Sequence, residues 1–221
     1  ETSRACRIMA KGSITAWFAT PIFRARLATA PERRLLGDIE ATCRMIARED
    51  RAGQAWCRAH AYEGYTSYAS LDDLTTRSSV FADLEAVLDR HVAAFARTLD
   101  FDLAGRRLAL DSLWINIHGL GGRHPSHIHP GSVISGTLYV TLPPGAGAIR
   151  FEDPRLPLMM AAPMRKAEAR PQNRTHVEIT PAAGNILLWE SWLRHEVPPS
   201  RAKEKRISIS FNYNWPQRVV E

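Results

Sequence analysis

The second half of the chain breaks into short apolar runs, and this pattern constrains the fold more than any other feature. From residue 108 onward the runs alternate with breaks rich in glycine and proline; they are LALDSLWINIH, SVISGTLYVTL, AIRFED, THVEI, NILLWE and RISISFNYNW. Short runs bounded by turn residues are typical of the strands of a β-sandwich or β-barrel. The sequence therefore predicts a mainly β core in this half.

The last run, residues 206–215, alternates most regularly. Successive side chains of a strand point to opposite faces, so its residues divide into two sets. The apolar set is Ile207, Ile209 and Phe211, and the polar set is Arg206, Ser208, Ser210 and Asn212. A polar face inside an otherwise apolar sheet protein indicates a lined cavity.

The first half is mixed, with two amphipathic helices expected at Pro31 to about Asp50 and at Ser79–Leu99. Ser78 or Ser79 is a suitable helix cap. An edge strand is expected within Ile14–Leu27, which is interrupted by Pro21, and a loop at Asp72–Leu74. The helices are expected to bury one face of the sheet.

The length of 221 residues fits a single domain. We expect one unit over 1–221, with a helical and mixed support region at 1–105 and the β core at 106–221. No apolar run is long enough to span a membrane, and no signal-peptide core is present near the start. The three cysteines form no disulfide framework, which favours a reducing, cytoplasmic compartment. The net charge of +6 comes from dispersed arginines, which argues against a nucleic-acid partner.

Histidines are concentrated in one short segment. The chain has eight, and four of them lie between His118 and His129. In the pair His127-Ile128-His129, residues i and i+2 of a strand share a face, so both imidazoles can bind one metal ion. The alternative is a histidine-rich surface loop, to which His118 and His124 would belong.

A second group of candidate residues follows downstream. His195 succeeds a strand-like run, Arg206 opens the last strand eleven residues later, and Ser208 shares its polar face. An arginine inside a β-barrel needs a partner, and a ligand carboxylate matches the guanidinium with two parallel hydrogen bonds. The alternative is a structural ion pair of Arg206 with Glu190 or Asp153.

With these motifs in order, the sequence resembles the 2-oxoglutarate and Fe(II)-dependent oxygenases, in particular a bacterial group with H-x-H-P-G-S-x-x-S-G-x-x-Y-V, F-E-D-P-R and S-W-L-x-H. Here the motifs read HIHPGSVISGTLYV (127–140), FEDPR (151–155) and SWLRH (191–195), followed by RISISFNYNW. The resemblance covers about 110 residues, and GYTSYASLDDL (64–74) is similar to an upstream block of the group. It implies a double-stranded β-helix, or jelly roll, flanked by N-terminal helices.

The resemblance also implies roles for individual residues. His127 and His195 would bind the metal, and Arg206, helped by Ser208, would bind the distal carboxylate of 2-oxoglutarate. Three further residues would line the co-substrate pocket or serve packing and hydrogen bonding, and they are Asn116, His118 and Tyr139. The implied cofactor is Fe(II), with 2-oxoglutarate as co-substrate.

One position departs from the wider family, in which the second residue of the pair is a carboxylate, His-x-Asp or His-x-Glu. Here it is His129, so the favoured metal-binding triad is His127, His129 and His195. Three neutral imidazoles leave the site one unit more positive, which makes zinc or copper less unexpected. In the alternative, His129 turns away and Asp153 or Glu152 supplies a carboxylate.

The implied activity is a dioxygenase reaction that uses molecular oxygen to hydroxylate a small molecule or peptide, with release of succinate and CO2. Loops 119–126 and 156–174 are candidate lids, and homodimerisation through the N-terminal helices is left open. The alternatives are a three-histidine, cupin-like dioxygenase or isomerase without 2-oxoglutarate, and a non-enzymatic β-sandwich binding module. The cupin-like mechanism gives no special role to Arg206 and Ser208.

Overall fold

A computed structural model describes residues 12–215, which form four α-helices and ten strands. The helices are α1 (Ala30–Glu49), α2 (Arg51–Ala59), α3 (Leu74–Arg77) and α4 (Ser79–Thr98). The strands are β1 (Phe23–Arg26), β2 (Tyr65–Thr66), β3 (Ala109–His118), β4 (His124–His127), β5 (Ile134–Thr141), β6 (Ile149–Glu152), β7 (His176–Ile179), β8 (Asn185–Glu190), β9 (His195–Val197) and β10 (Arg206–Asn214). Two short 3-10 turns lie at Leu156–Leu158 and Pro171–Asn173.

The strands form two antiparallel sheets. The larger has the order β1-β8-β5-β10-β3-β2, and the smaller has the order β4-β9-β6-β7. Tyr139 and Trp189 of the larger sheet share one apolar cluster with Ile149 and Phe151 of the smaller sheet. The two sheets therefore pack face to face, and the prediction of a mainly β sandwich is confirmed.

The outer face of the larger sheet is covered by helices. Ile39 and Cys43 of α1 and Leu84 of α4 share the main core with sheet residues such as Ile209. Thr29 caps α1, since its side chain accepts a hydrogen bond from Glu32 N while Glu32 reaches back to Thr29 N. Both long predicted helices are confirmed to within one or two residues.

The strand β10 lies between β5 and β3 in the middle of the larger sheet. Its apolar set is completely buried against the helices, and its polar set faces the smaller sheet, where the members line a cavity. The alternation read from the sequence is thus confirmed. Ser208 lies opposite Asn116 on β3 and opposite Tyr139 on β5.

Several local expectations need correction. The expected edge strand is confined to β1, which pairs only with β8 at the sheet edge, because Pro21 lies just before it. Leu74 begins α3 rather than lying in a loop. The segment 119–126, expected as a loop, contains the start of β4. Within residues 12–215, no helix combines the length and apolarity needed to cross a bilayer.

Candidate functional site

A cavity of about 350 Å³ lies between the inner faces of the two sheets. Seven of the eight residues singled out from the sequence line it: Asn116, His127, His129, Tyr139, His195, Arg206 and Ser208. The eighth, His118, is buried directly behind its wall. The structure therefore brings the candidate residues of two distant motifs into one cavity.

The three histidines of the expected triad converge. One ring nitrogen of each lies within 4.8 Å of those of the other two, and Nε2 of His129 is 3.4 Å from Nε2 of His195. The rings of His127 and His195 have centroids 4.4 Å apart. Such spacing allows all three nitrogens to face one ion.

The backbone achieves this convergence differently from the expected strand. His127 ends β4 directly opposite His195, which begins β9. His129 lies beyond the strand, where its backbone N–H donates to the Ser191 carbonyl at 3.0 Å. The expectation that both residues of the pair share a strand face is therefore wrong, because Pro130 and Gly131 turn the chain immediately afterwards.

Two of the imidazoles are oriented by backbone carbonyls. Nδ1 of His127 lies 2.7 Å from the Pro125 carbonyl, and Nδ1 of His195 lies 2.9 Å from the Leu193 carbonyl. Because a carbonyl only accepts, each Nδ1 carries the hydrogen and each Nε2 presents its lone pair to the cavity. This tautomer is the one that a metal-binding histidine with an oriented ring requires.

Burial keeps the imidazoles of His129 and His195 neutral. It lowers the pKa of His129 to about 4 and that of His195 to about 3, with the neighbouring His127 adding to both shifts. An imidazole must be deprotonated to bind a metal, so both rings are in the required form at neutral pH. The donor set suits Fe, Zn, Cu or Ni, and it fits the Fe(II) that the sequence resemblance implies.

The two alternative carboxylates lie outside this group. Both oxygens of Asp153 accept hydrogen bonds from Arg155, at 2.9 and 2.8 Å. Glu152 lies 3.8 Å from both His176 and Arg194. Neither acid belongs to the cluster of possible ligands, which consists of the three histidines.

Arg206 stands on the opposite wall of the same cavity. It is only 3% exposed, and burial lowers the pKa of its guanidinium. Its protein contacts are one 3.4 Å hydrogen bond to the Ala146 carbonyl and the face of the Tyr139 ring, 5.2 Å from its Cζ. Among the described residues it forms no salt bridge, so the expected alternative pairs with Glu190 or Asp153 are absent.

Two polar residues near Arg206 differ in whether the protein already satisfies their hydrogen bonds. The Tyr139 hydroxyl is completely buried and has no hydrogen-bond partner within residues 12–215, and burial raises its pKa to about 12. In contrast, the Asn116 amide accepts from the Thr66 hydroxyl at 2.9 Å and donates to Ser210 at 3.1 Å. Tyr139 is therefore free to bind a ligand, whereas Asn116 is held by the protein.

One protein-family model matches the part of the chain that contains the candidate site residues. Residues 112–212, which include all the candidates, match the family model described as "Putative 2OG-Fe(II) oxygenase". These residues are similar to the members of that family. The matched region coincides with the part of the chain that carries the sequence motifs, and the description of the family names Fe(II) and 2-oxoglutarate.

Solved structures share the fold of this chain. A prolyl-4-hydroxylase from Pseudomonas putida is 14% identical, with 90% of this chain and 94% of that chain covered and a TM-score of 0.56. The epimerase SnoN from nogalamycin biosynthesis, in complex with Fe3+, alpha ketoglutarate and nogalamycin RO, is 16% identical, with 88% and 79% covered and a TM-score of 0.57. The double-stranded β-helix expected from the sequence is therefore confirmed.

Other comparisons are weaker. The chain covers 58% of a 2OG-Fe(II) oxygenase family oxidoreductase from Burkholderia pseudomallei, with 63% of this chain covered, 17% identity and a TM-score of 0.46. No curated protein matches the chain significantly.

Behind the cavity wall lie further residues that the sequence motifs did not reveal. The Tyr62 hydroxyl lies 2.7 Å from Nε2 of His118 and 3.3 Å from Nε2 of His124. Burial and the charge of Arg206 lower the pKa of His118 to about 4. His118 is thus not on a surface loop but supports the wall beside Arg206. Tyr62 precedes the block at 64–74, and no local pattern distinguishes it.

Proposed function

We propose that this oxygenase binds Fe(II) through His127, His129 and His195 and anchors 2-oxoglutarate through Arg206. The proposed reaction hydroxylates an organic substrate and yields succinate and CO2. One observation carries the proposal: a buried arginine, which has no carboxylate partner in the described part of the chain, faces the cavity into which three imidazoles converge.

The position of Arg206 supports an anchoring role because a buried guanidinium without a counter-charge is costly. A protein keeps such a group when a ligand supplies the missing anion. The distal carboxylate of 2-oxoglutarate would accept two parallel hydrogen bonds from the guanidinium. The unpartnered hydroxyl of Tyr139, which lies beside it, would donate a third.

The remaining residues orient the reactants and exclude water. With both groups bound, the iron and 2-oxoglutarate supply the chemistry that places one atom of dioxygen in succinate and the other in the substrate. His127 and His195 contribute fixed rings, since the Pro125 and Leu193 carbonyls hold their Nδ1 hydrogens. Trp189 packs edge-on against His195, with centroids 4.7 Å apart, and closes the site on that side.

We infer a small molecule or a peptide side chain as the substrate, since a cavity of about 350 Å³ must also hold the co-substrate. Within the similar structures, SnoN holds nogalamycin RO, which is a precedent for small molecules. The lid role of loops 119–126 and 156–174 stays a prediction, as do homodimerisation and a cytoplasmic location. Exposed Met160 and Met164 lie in the second loop.

An anaerobic titration tests the proposal. Metal-free protein receives Fe(II) and then 2-oxoglutarate while the visible absorption spectrum is recorded. We expect a charge-transfer band that requires both additions. In Arg206→Ala, metal binding should persist while 2-oxoglutarate binds at least about thirtyfold more weakly, since a charge-assisted pair contributes about 2 kcal/mol or more.

The matched control is Arg194→Ala, which removes an arginine next to His195 that is half-exposed and lies outside the cavity lining. It should leave both affinities unchanged. Equal loss of metal and 2-oxoglutarate binding in Arg206→Ala would contradict the anchoring role.

The all-imidazole triad keeps one second candidate open, a three-histidine metal dioxygenase or isomerase that does not use 2-oxoglutarate. The same titration separates the two functions. Fe(II) binding without any spectral response to 2-oxoglutarate would favour the second candidate, and absence of Fe(II) binding would favour a non-enzymatic binding module.

A further inference from the structure

The cavity has an unbalanced charge. Its lining contains one charged side chain, Arg206, and no aspartate or glutamate. Glu152 and Asp153, the two acids considered as alternative metal ligands, interact with arginines and His176 outside it. Any anion needed to balance the bound metal must therefore come from a ligand.

The charges can be added for the filled site. A divalent ion and Arg206 contribute three positive charges, and three neutral imidazoles contribute none, whereas a carboxylate in the triad would contribute one negative charge. The two carboxylates of 2-oxoglutarate leave one positive charge uncompensated. In a partly dehydrated cavity such a residual charge is unfavourable and attracts a further anion.

The positions of Arg206 and His129 along the larger sheet indicate where this further anion would bind. Arg206 is opposite His118 at one end of β3, and Trp114 lies four residues further along the same strand, roughly 13 Å away. The His129 ring lies over this far end, with its centroid 6.1 Å from that of Trp114. His129, which occupies the usual carboxylate position, therefore faces the side of the cavity away from the co-substrate anchor.

The walls at that end suit an organic group. Trp114 and Tyr68 form an edge-to-face pair, with centroids 5.1 Å apart, and Ile128 and Pro130 also line this part of the cavity. Tyr68 is 56% exposed, so this end opens towards solvent. An apolar or aromatic body can pack on the pair while its polar group points to the triad.

We propose that the position beside His129 binds a monoanionic group, and that this group is a carboxylate carried by the primary substrate. The inference rests on the proposed function, since it assumes the metal and 2-oxoglutarate in the assigned places. It names the substrate class as organic acids with an apolar body. The neutral third ligand thereby selects for a negative charge in the substrate.

The test uses full-length protein loaded anaerobically with Co(II) and 2-oxoglutarate, and it follows the visible absorption spectrum. Acetate, benzoate, chloride and the uncharged acetamide are added in separate titrations. We expect saturable changes with acetate and tighter binding of benzoate, which can also contact Trp114 and Tyr68. Acetamide should give no change.

Two variants isolate the charge. His129→Asp returns a negative charge to the triad and should weaken acetate and benzoate binding by about tenfold or more. His129→Asn introduces a side chain of the same size as aspartate but without its charge, and this variant should retain anion binding. Both variants must still give the Co(II) spectrum, which confirms folding and metal binding.

The outcomes are distinguishable. If no response to 2-oxoglutarate appears, the proposed function fails and this inference fails with it. If that response appears but acetate has no effect, or binds His129→Asp as well as the parent protein, only the inference is overturned. Binding of chloride without any gain from acetate to benzoate would overturn the substrate carboxylate and identify an inorganic anion instead.

Discussion

Single side chains decide what this cavity can bind. The imidazoles of His118 and His195 are buried and neutral, and Arg206 keeps its charge without a protein anion beside it. The cavity thus combines neutral donors for a metal with one fixed positive charge for a carboxylate. Burial disfavours the charged form of both groups, but the guanidinium starts from a much higher pKa and therefore stays charged at neutral pH, whereas the imidazoles become neutral.

The buried histidines predict an acid-sensitive metal-free protein. Burial lowers the pKa of His118 from 6.5 to about 4, so between these values the unfolded chain binds more protons than the folded one. The free energy of unfolding should therefore fall as the pH falls from about 6.5 to about 4. Urea unfolding at pH 7 and pH 5 measures this, and His118→Gln should reduce the difference between the two.

A free energy of unfolding that is equal at pH 5 and pH 7 would contradict the prediction.

The metal and anchor candidates could be found from the sequence because their chemistry is concentrated in motifs. The spacing of His127, His195 and Arg206 carries the resemblance to the oxygenase family, and alternation places Arg206 in the cavity. Tyr62 could not be found in this way. It reaches His118 across a sequence separation of 56 residues, so only the tertiary fold brings the pair together.

Elements differ in how strongly their local sequence determines them. The periodic apolar residues of α1 and α4 are sufficient to place both helices within one or two residues. The strands β4 and β9 are only four and three residues long, and they pair with each other through long-range contacts. No local pattern of that length distinguishes a strand from a turn, so the sequence did not reveal them.

A pair of glycine substitutions tests the packing of elements. A Cβ at Gly136 of β5 would lie 2.5 Å from ring carbons of Phe211, so Gly136→Ala should destabilise the fold by about 1–3 kcal/mol. Gly37 lies on the exposed face of α1 with nothing within 4 Å, and Gly37→Ala should stabilise it by roughly 0.5–1 kcal/mol. Chemical unfolding of both variants measures the two effects, and effects of the same sign would contradict this account.

At the scale of the whole molecule, the proposed ligands connect the two sheets. The histidines come from β4, β9 and the turn after β4, whereas Arg206 belongs to the larger sheet. A metal alone would therefore stabilise one side of the cavity. A metal with 2-oxoglutarate would join both sides.

This arrangement predicts stepwise thermal stabilisation. Ni(II) at a hundredfold excess over its Kd should add about 2.7 kcal/mol and raise the Tm, and 2-oxoglutarate should raise the Tm further only when Ni(II) is present. Mg²⁺, which prefers oxygen ligands, should have no effect. Differential scanning calorimetry measures each step, and an equal response to 2-oxoglutarate in Arg206→Ala would contradict the bridging arrangement.

The central position of β10 has a consequence for how the protein is made. Its neighbours β3 and β5 are synthesised up to about a hundred residues earlier, yet neither can complete its hydrogen bonds until β10 arrives between them. During translation, β3 and β5 therefore leave the ribosome before β10. Until β10 follows, each of them has one unpaired edge and the apolar core between the sheet and the helices is incomplete. Chaperones that cover β3 and β5 during that interval would limit aggregation. The strand that then pairs with both, β10, also carries Arg206 into the cavity.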